Sequence, residues 1–506
     1  MLLAESRIEK SKRNLSYGMI YQVMYLIMNF VVRLSIINCL GVISLSLNGL
    51  FTEVLSILSL AEMGVGTAIT YSLYKPLAEG DEKKISQLMS FFKTAYHLIT
   101  IFMFTVGILL IPFLKYIIKD IDVPWGYQVL VYILFLISTC ASYWSSHRML
   151  LITADQKAYI CAKTNIVVRG IFFAISLCMI WFARNFVLYL ISEIGYAFFY
   201  YFVLAKKADK MYPYLNDKDK LPKEERKQLF ISVKQAFAGK LANRVLNSTD
   251  NILISSIVGT TLVGIYSTYS MFTNGFQRVF AQVNEAIVGS VGNIIATETP
   301  KKIKETYENS TYLFFVMSSI CSVCMFAAIQ PFLTLVIGKD LLLSEEVLII
   351  VIINLFEESL KMPLWTYFNA AGRFKEDQWI SITGCILNLI ISIIWGYMLG
   401  MFGIFLGTFV SLVFMIACKI IVLGKHVFEN AQHVIIKDFL KYNLVFTIEM
   451  VLAWGISQFS TGNMIIDFLW KGVVSLIITV ILSIWIFRKT DEYKYVFGLI
   501  ERKLRK

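Results

Sequence analysis

Apolar segments of about 20 residues recur along the whole 506-residue chain, and no other feature constrains the fold as strongly. A helix of this length crosses a hydrocarbon core of about 30 Å, because each helical residue rises by about 1.5 Å. The sequence therefore predicts an all-α polytopic membrane protein with about 14 transmembrane helices. The predicted segments are approximately 17–39, 46–74, 88–114, 126–146, 164–183, 186–205, 229–257, 261–297, 311–337, 346–369, 379–399, 401–423, 439–458 and 465–487.

The composition agrees with a membrane protein. Hydrophobic residues make up 57% of the chain and charged residues 16%, whereas a soluble globular protein has about 45–50% apolar and about 25% charged residues. This balance excludes a soluble multidomain enzyme.

The formal charge of +12, from 47 Lys and Arg against 35 Asp and Glu, is distributed unevenly among the loops. If the amino terminus is cytoplasmic, the loops on that side carry about 34 basic residues and the opposite loops about four, the positive-inside pattern. The alternation predicts that both termini are cytoplasmic. It also assigns most of the charge to the anionic inner leaflet rather than to nucleic acid.

Weak internal similarity suggests two homologous halves. The segment Gly49-Leu-Phe-Thr resembles Gly264-Ile-Tyr-Ser, and Tyr159-Ile resembles Trp379-Ile at nearly the same offset. Six helices in each half give both halves the same membrane orientation. The predicted domains are an N-lobe at 1–205, a basic cytoplasmic linker at 206–228, a C-lobe at 229–430, two extra helices at 431–487 and a basic amphipathic tail at 488–506.

Polar side chains occur at helical spacing in four of the apolar segments. A charge near the centre of a membrane helix costs about 2.5–3.5 kcal/mol, so it needs a partner or a water-filled cavity. The first two segments of each half therefore predict the wall of a central aqueous cavity. The candidate substrate-binding residues are Arg33, Lys240, Arg244, Arg278, Asn29, Asn251 and Asn274, and the candidates for ion coupling are Glu53, Asp250 and Glu285.

The four cations favour an anionic headgroup, because guanidinium groups bind phosphate in a bidentate fork. The alternative is that they pair internally, as in Arg278 with Glu285 or Arg244 with Asp250. The sequence assigns no partner to three other intramembrane charges, Glu193, Glu449 and Lys471.

The sequence has no nucleotide-binding P-loop, and its histidines and cysteines lack metal-ligand spacing. These observations predict a non-enzyme without metal or cofactor.

Several segments resemble the polysaccharide transporter family, the Wzx-type oligosaccharide flippases of the multidrug/oligosaccharidyl-lipid/polysaccharide exporter superfamily. The segments occur in the family's order over most of the chain, although each match has low specificity by itself. The segments are Asn48-Gly-Leu-Phe-Thr, Leu60-Ala-Glu-Met-Gly-Val-Gly, Tyr74-Lys-Pro-Leu-Ala, Ala154-Asp-Gln-Lys-Ala-Tyr, Thr249-Asp-Asn-Ile-Leu-Ile-Ser, Val263-Gly-Ile-Tyr-Ser and Gly403-Ile-Phe-Leu-Gly-Thr.

The resemblance implies a multi-pass protein of the bacterial plasma (inner) membrane that works by alternating access. Its substrate would be a polyprenyl-pyrophosphate-linked oligosaccharide moved to the outer leaflet, and other polysaccharide-assembly membrane proteins would be its partners. Coupling would use protons, sodium or the membrane potential. Two alternatives stay open: a flippase for the lipid-linked peptidoglycan precursor, and a membrane-embedded glycan polymerase or glycosyltransferase.

Overall fold

A computed structural model describes residues 7–58, 72–77, 79–119, 121–144, 146–215, 220–227, 229 and 249–504. These residues form helices and connecting turns without any β-strand, which confirms the all-α prediction. The chain divides into two compact units, Met1–Gly264 and Ile265–Lys506. The finer division into lobes, linker and tail stays a prediction.

The first unit is built mainly from six long or medium helices and one short one. Helix α1 packs along α6, α6 packs on α7, and α4 packs on α3 and α7. The helices are α1 (Arg7–Leu40), α2 (Val42–Leu58), α3 (Glu82–Leu109), α4 (Trp125–Trp144), α5 (Ser146–Ala154), α6 (Ala158–Trp181) and α7 (Phe186–Met211), followed by the single turn α8 (Asp250–Leu253). Two further short helical turns, at Ile111–Phe113 and Leu114–Ile117, extend the end of α3.

Side chains from distant positions close the helix ends of this unit. Asn14 of α1 accepts a hydrogen bond from the backbone N–H of Tyr159, in the first turn of α6, at 2.8 Å, and donates one to the carbonyl of Gln156 at 2.9 Å. Gln156 has a φ of 57°, a left-handed conformation that the two bonds to Asn14 help to hold. The turn before α6 is therefore fixed by α1.

The second unit contains the remaining helices. Helix α10 lies at its centre and packs on α11, α14 and, most extensively, α15. The helices are α9 (Thr260–Thr297, which begins in the first unit), α10 (Pro300–Ile337), α11 (Glu345–Leu360), α12 (Met362–Ala370), α13 (Phe374–His426), α14 (Gln432–Ser457), α15 (Met464–Phe487) and α16 (Asp491–Leu504).

Every predicted apolar segment overlaps a helix in the described part of the chain, the seventh at the single turn α8. The seventh, 229–257, lies mostly outside the described residues. In those residues nine helices are long and apolar enough to cross a membrane, and α2 is shorter. The chain is thus a multi-pass helical membrane protein, while the total of fourteen helices and the cytoplasmic termini stay predictions.

Helix α13 is a hairpin of two helices that meet at Gly400, between the predicted segments 379–399 and 401–423. The φ of Gly400 is 61° with ψ at −141°, a conformation open to glycine and strained for other residues. Ser392 donates a hydrogen bond to the carbonyl of Ile404 at 2.9 Å and joins the two arms. A Cβ at Gly407 would lie 2.7 Å from the backbone nitrogen of Ser392, so the arms touch backbone to backbone.

Replacing Gly407 by alanine is expected to destabilise the second unit by about 1–3 kcal/mol, because the backbone of Ser392 cannot give way as a side chain can. Gly384→Ala is the matched control on the same helix, since its Cβ would meet only the flexible side chain of Met415. The measurement is the midpoint of thermal unfolding in detergent. Equal shifts for the two variants would show that the close approach at Gly407 does not limit the packing of the hairpin arms.

Candidate functional site

The predicted site residues of the first unit lie on α1, α2 and the turn α8. Asn29 and Arg33 are one helical turn apart on α1, and both are half-buried. Glu53 of α2 is half-buried and accepts a hydrogen bond from the Ser56 hydroxyl at 3.1 Å. The hydrogen bond to Ser56 therefore holds the Glu53 carboxylate against its own helix.

Helix α8 packs on α2 and carries Asp250 and Asn251. Asp250 is half-buried, whereas Asn251 is buried and its Oδ1 has no hydrogen-bond partner among the described residues. A buried amide oxygen without a partner costs free energy. Asn251 is therefore the predicted site residue whose environment most needs a further hydrogen bond.

The turn after α8 is anchored by hydroxyl groups. Ser255 lies 2.7 Å from the hydroxyl of Thr260 and donates to the carbonyl of Ile117 at 2.6 Å. Thr260 in turn accepts a bond from the backbone N–H of Lys119 at 2.9 Å. These contacts fix where α9 begins.

Ser46 of α2 contacts the first turns of α9. Its hydroxyl donates to the carbonyl of Thr261 at 3.2 Å, and the two residues are 215 positions apart, the same offset as the first sequence repeat. A Cβ at Gly264 would lie 3.2 Å from the Cα of Ser46, so glycine permits this close approach. The offset of 215 residues between the repeated segments is therefore also the separation of two residues that contact each other, Ser46 and Thr261.

The predicted site residues of the second unit lie on α9. Asn274 and Arg278 are one helical turn apart and both are exposed. The side chain of Glu285 is not described, and Lys240 and Arg244 lie outside the described residues. The structure therefore groups Asn29, Arg33, Glu53, Asp250 and Asn251 in one unit, and Asn274 and Arg278 in the other.

Two ionisable clusters were missed because their partners lie on other helices. In the first unit, Arg169 of α6 pairs with Glu193 of α7, with 2.6 Å between Nη1 and Oε2. The guanidinium of Arg169 also lies 4.5 Å from the ring centre of Tyr196. Neither Arg169 nor Glu193 has a charged neighbour at helical spacing in its own apolar segment, so no pattern in the sequence indicates that the two residues pair.

In the second unit, Glu449 of α14 is fully buried and accepts hydrogen bonds from Ser319 of α10 and Ser483 of α15. Lys471 of α15 donates to the carbonyl of Ser457 at 2.8 Å. Both side chains therefore have polar partners rather than ionic ones in the described part of the molecule.

No group of three or more His, Cys, Asp or Glu residues is placed to hold a metal ion within the described ranges. Cys321 and Cys324 lie on α10, and the Sγ of Cys324 contacts the carbonyl of Gly472 at 3.8 Å. The candidate site within the described ranges therefore consists of polar and charged side chains and not of metal ligands.

Comparison with known proteins identifies the fold. Residues 237–394 match the MatE family model. A structure of the lipid II flippase MurJ in an inward closed conformation matches with a TM-score of 0.68 at 15% identity, covering 94% of this chain and 99% of that one. A search of curated proteins finds no match.

Two MATE transporters match over a smaller share of this chain. An inward-facing MATE family transporter of the MOP superfamily matches with a TM-score of 0.65 at 14% identity, covering 80% of this chain and 95% of that one. A point mutant of the Vibrio cholerae MATE transporter VcmN matches with a TM-score of 0.57 at 15% identity, covering 83% of this chain and 98% of that one. The matched proteins are transporters rather than enzymes. The chain is therefore a multi-pass membrane protein with the fold shared by MurJ and the MATE transporters, and its residues 237–394 are similar to the MatE family.

Proposed function

We propose that this protein is a flippase that moves a polyprenyl-pyrophosphate-linked oligosaccharide from the cytoplasmic to the outer leaflet, for the synthesis of a capsule, exopolysaccharide or O-antigen-type glycan. The observation that carries the proposal is the presence of arginines on apolar helices, Arg33 on α1 and Arg278 on α9, in a chain with a transporter fold. Transport would use alternating access around a central cationic cavity.

The chemistry of the substrate explains why such charges would be retained. A pyrophosphate carries negative charge through the membrane, and guanidinium groups can donate two parallel hydrogen bonds to it. An arginine in a membrane helix is costly unless it has a polar partner or lines a water-filled cavity, and a cavity that admits a pyrophosphate supplies such a setting. Lys240 and Arg244 would complete the cationic set, and Asn29, Asn251 and Asn274 would donate or accept hydrogen bonds with the sugar and phosphate oxygens.

Energy coupling is assigned to Glu53, Asp250 and Glu285 as a proposal, with protons, sodium or the membrane potential as the source. No covalent chemistry and no nucleic acid are involved. The expected partners are the lipid bilayer, the lipid-linked oligosaccharide and other polysaccharide-assembly membrane proteins.

A second candidate is a flippase for the lipid-linked peptidoglycan precursor. The match to MurJ favours it, because that structure covers more of this chain than the MATE transporters do. The same difference in coverage argues against a drug exporter. A cationic cavity suits both lipid pyrophosphates, so charge alone does not separate the two flippase functions.

A membrane-embedded glycan polymerase or glycosyltransferase is the candidate from another class. Such an enzyme needs room outside the membrane for catalytic residues. The turns expected on the outer face, such as 182–185 between α6 and α7 and 458–463 between α14 and α15, are short. This architecture supports a transporter.

Deletion of the gene separates these functions. We expect viable cells that lack the surface glycan and accumulate its lipid-linked unit at the cytoplasmic face, because the unit is still made but not moved. The measurement combines growth, surface glycan staining and lipid extraction, with a plasmid copy as the control. Lysis with accumulation of the peptidoglycan precursor would support the second candidate, and unchanged glycan would overturn the proposal.

A further inference from the structure

A buried carboxyl group lies where three helices of the second unit meet. Glu449 of α14 is 0% exposed, and its two carboxyl oxygens face the hydroxyls of Ser319 on α10 and Ser483 on α15. Ser319 is itself 0% exposed and Ser483 3%. The carboxyl is thus enclosed by polar atoms from both neighbouring helices.

No cation balances this carboxyl in the described part of the chain. The charged groups of the helices around it lie toward their ends: Lys304 and Glu308, which pair with each other, near the start of α10, Asp438 and Lys441 near the start of α14, and Asp467 and Lys471 near the start of α15. Lys441, the closest of these along α14, is eight residues from Glu449, about 12 Å of helix. Among the described residues, helix α13 presents no ion-pair partner to Glu449. The other carboxyl group nearby, Glu357 of α11, forms a hydrogen bond with Asn443 and not with Glu449.

An ionised carboxylate in this setting is costly, because two hydroxyl groups replace neither the water nor a counter-charge. Binding a proton neutralises the group and leaves it able to donate a hydrogen bond to a serine oxygen. The enclosing hydroxyls suit either form, since a serine hydroxyl both donates and accepts. The site can therefore hold and release a proton without rearranging its partners.

Further hydroxyls extend from the site along the contact between α10 and α15. The two helices run antiparallel, because Ser319 lies level with Ser483 at Glu449 while Cys324 contacts Gly472. Between these levels lie Ser322 of α10 and Ser475 and Thr479 of α15, which are 0%, 1% and 0% exposed. Their side-chain oxygens have no hydrogen-bond partner among the described residues.

On α15 these hydroxyls continue a row with a spacing of four residues. Asp467, Lys471, Ser475, Thr479 and Ser483 are all buried on one face of the helix. Successive members are about 6 Å apart along the axis, a gap that one water molecule bridges. Buried hydroxyls without protein partners are the places where such waters bind.

We propose that Glu449 is a proton-binding site, and that its proton exchanges with the aqueous phase near Lys471 along the hydroxyl row of α15. The proton binds one carboxylate oxygen, is passed from hydroxyl to hydroxyl through intervening waters, and returns to solvent at the α14–α15 turn. The site is separate from Glu53, Asp250 and Glu285. Only its use in energy coupling rests on the flippase function proposed above.

Infrared difference spectroscopy of the full chain in lipid nanodiscs tests the proposal without any transport substrate. At neutral pH we expect the C=O stretch of a protonated carboxylic acid that Glu449→Gln removes. Glu357→Gln is the matched control, because it changes another buried glutamate of this unit and should leave the Glu449 band in place. An unchanged band in Glu449→Gln would overturn the proposal.

Two further measurements keep the result decisive. Replacing choline chloride by sodium chloride at fixed pH should leave the band unchanged; its loss would mean that the carboxylate binds sodium instead of a proton. Thr479→Val, which keeps the carboxyl and its two serine partners, should slow the deuterium shift of the band, and an unaltered rate would contradict the exchange path. If the band behaves as expected but no lipid-linked oligosaccharide is moved, the flippase function fails and the proton site stands.

Discussion

Glu193→Gln is expected to destabilise the first unit by about 3–5 kcal/mol, because it leaves the buried charge of Arg169 without its partner. The side chains of Arg169 and Glu193 are 10% and 19% exposed. The other carboxyl oxygen of Glu193 accepts a hydrogen bond from Ser176 at 3.2 Å. The pair therefore joins α6 to α7 through a network, and glutamine cannot supply the missing charge.

The thermal unfolding midpoint in detergent measures this effect. Glu305→Gln is the matched control, because Glu305 pairs with Lys302 at 3.0 Å on the surface of α10, where both side chains are 53% exposed. An exposed pair of this kind contributes about 0–1 kcal/mol. Adding Arg169→Met to Glu193→Gln should restore part of the stability, since it removes the unpaired charge. Equal midpoints for Glu193→Gln and Glu305→Gln would show that the buried pair does not hold α6 against α7.

Arg278→Ala is expected to abolish transport while the protein still accumulates in the membrane. Arg278 is exposed on α9, so alanine removes little packing. A hydrogen bond to a charged group contributes about 1.5–3 kcal/mol, which corresponds to roughly a tenfold to hundredfold loss in binding of the pyrophosphate group. Arg278→Lys should retain part of the activity, because lysine keeps the charge but not the bidentate fork.

Val279→Ala is the control for Arg278→Ala, since Val279 is the next residue on α9 and 54% exposed. The measurement is the amount of surface glycan in cells that make each variant, with the membrane level of the protein measured in parallel. We expect Arg244→Ala, in the seventh predicted segment, to behave like Arg278→Ala. Normal glycan in both arginine variants would count against a cationic substrate site.

The sequence predicts the features that depend on spacing within one helix. The boundary between the segments 379–399 and 401–423 falls at Gly400, the residue of α13 at which φ is positive and the two arms meet. The pairs Asn29 with Arg33, and Asn274 with Arg278, lie one turn apart as the spacing requires. A period of 3.6 residues is enough to predict each of these pairs.

The sequence does not predict which helices face each other, and this is why the partners of Glu193 and Glu449 were missed. Arg169 is 24 residues from Glu193, and Ser319 is 130 residues from Glu449. Asn14 likewise holds the turn before α6 from 145 residues away. Such contacts follow from helix packing, which depends on side-chain shape along whole helices rather than on any local pattern.

Reconstitution of the purified chain in liposomes with a polyprenyl-pyrophosphate-linked oligosaccharide is the most direct test of the flippase function. Movement is measured as the fraction of the glycan that becomes accessible to a membrane-impermeant glycosidase. We predict that the wild-type chain exposes glycan that was initially protected and that Arg278→Ala does not. Movement of the peptidoglycan precursor alone, or equal exposure by both proteins, would contradict this function.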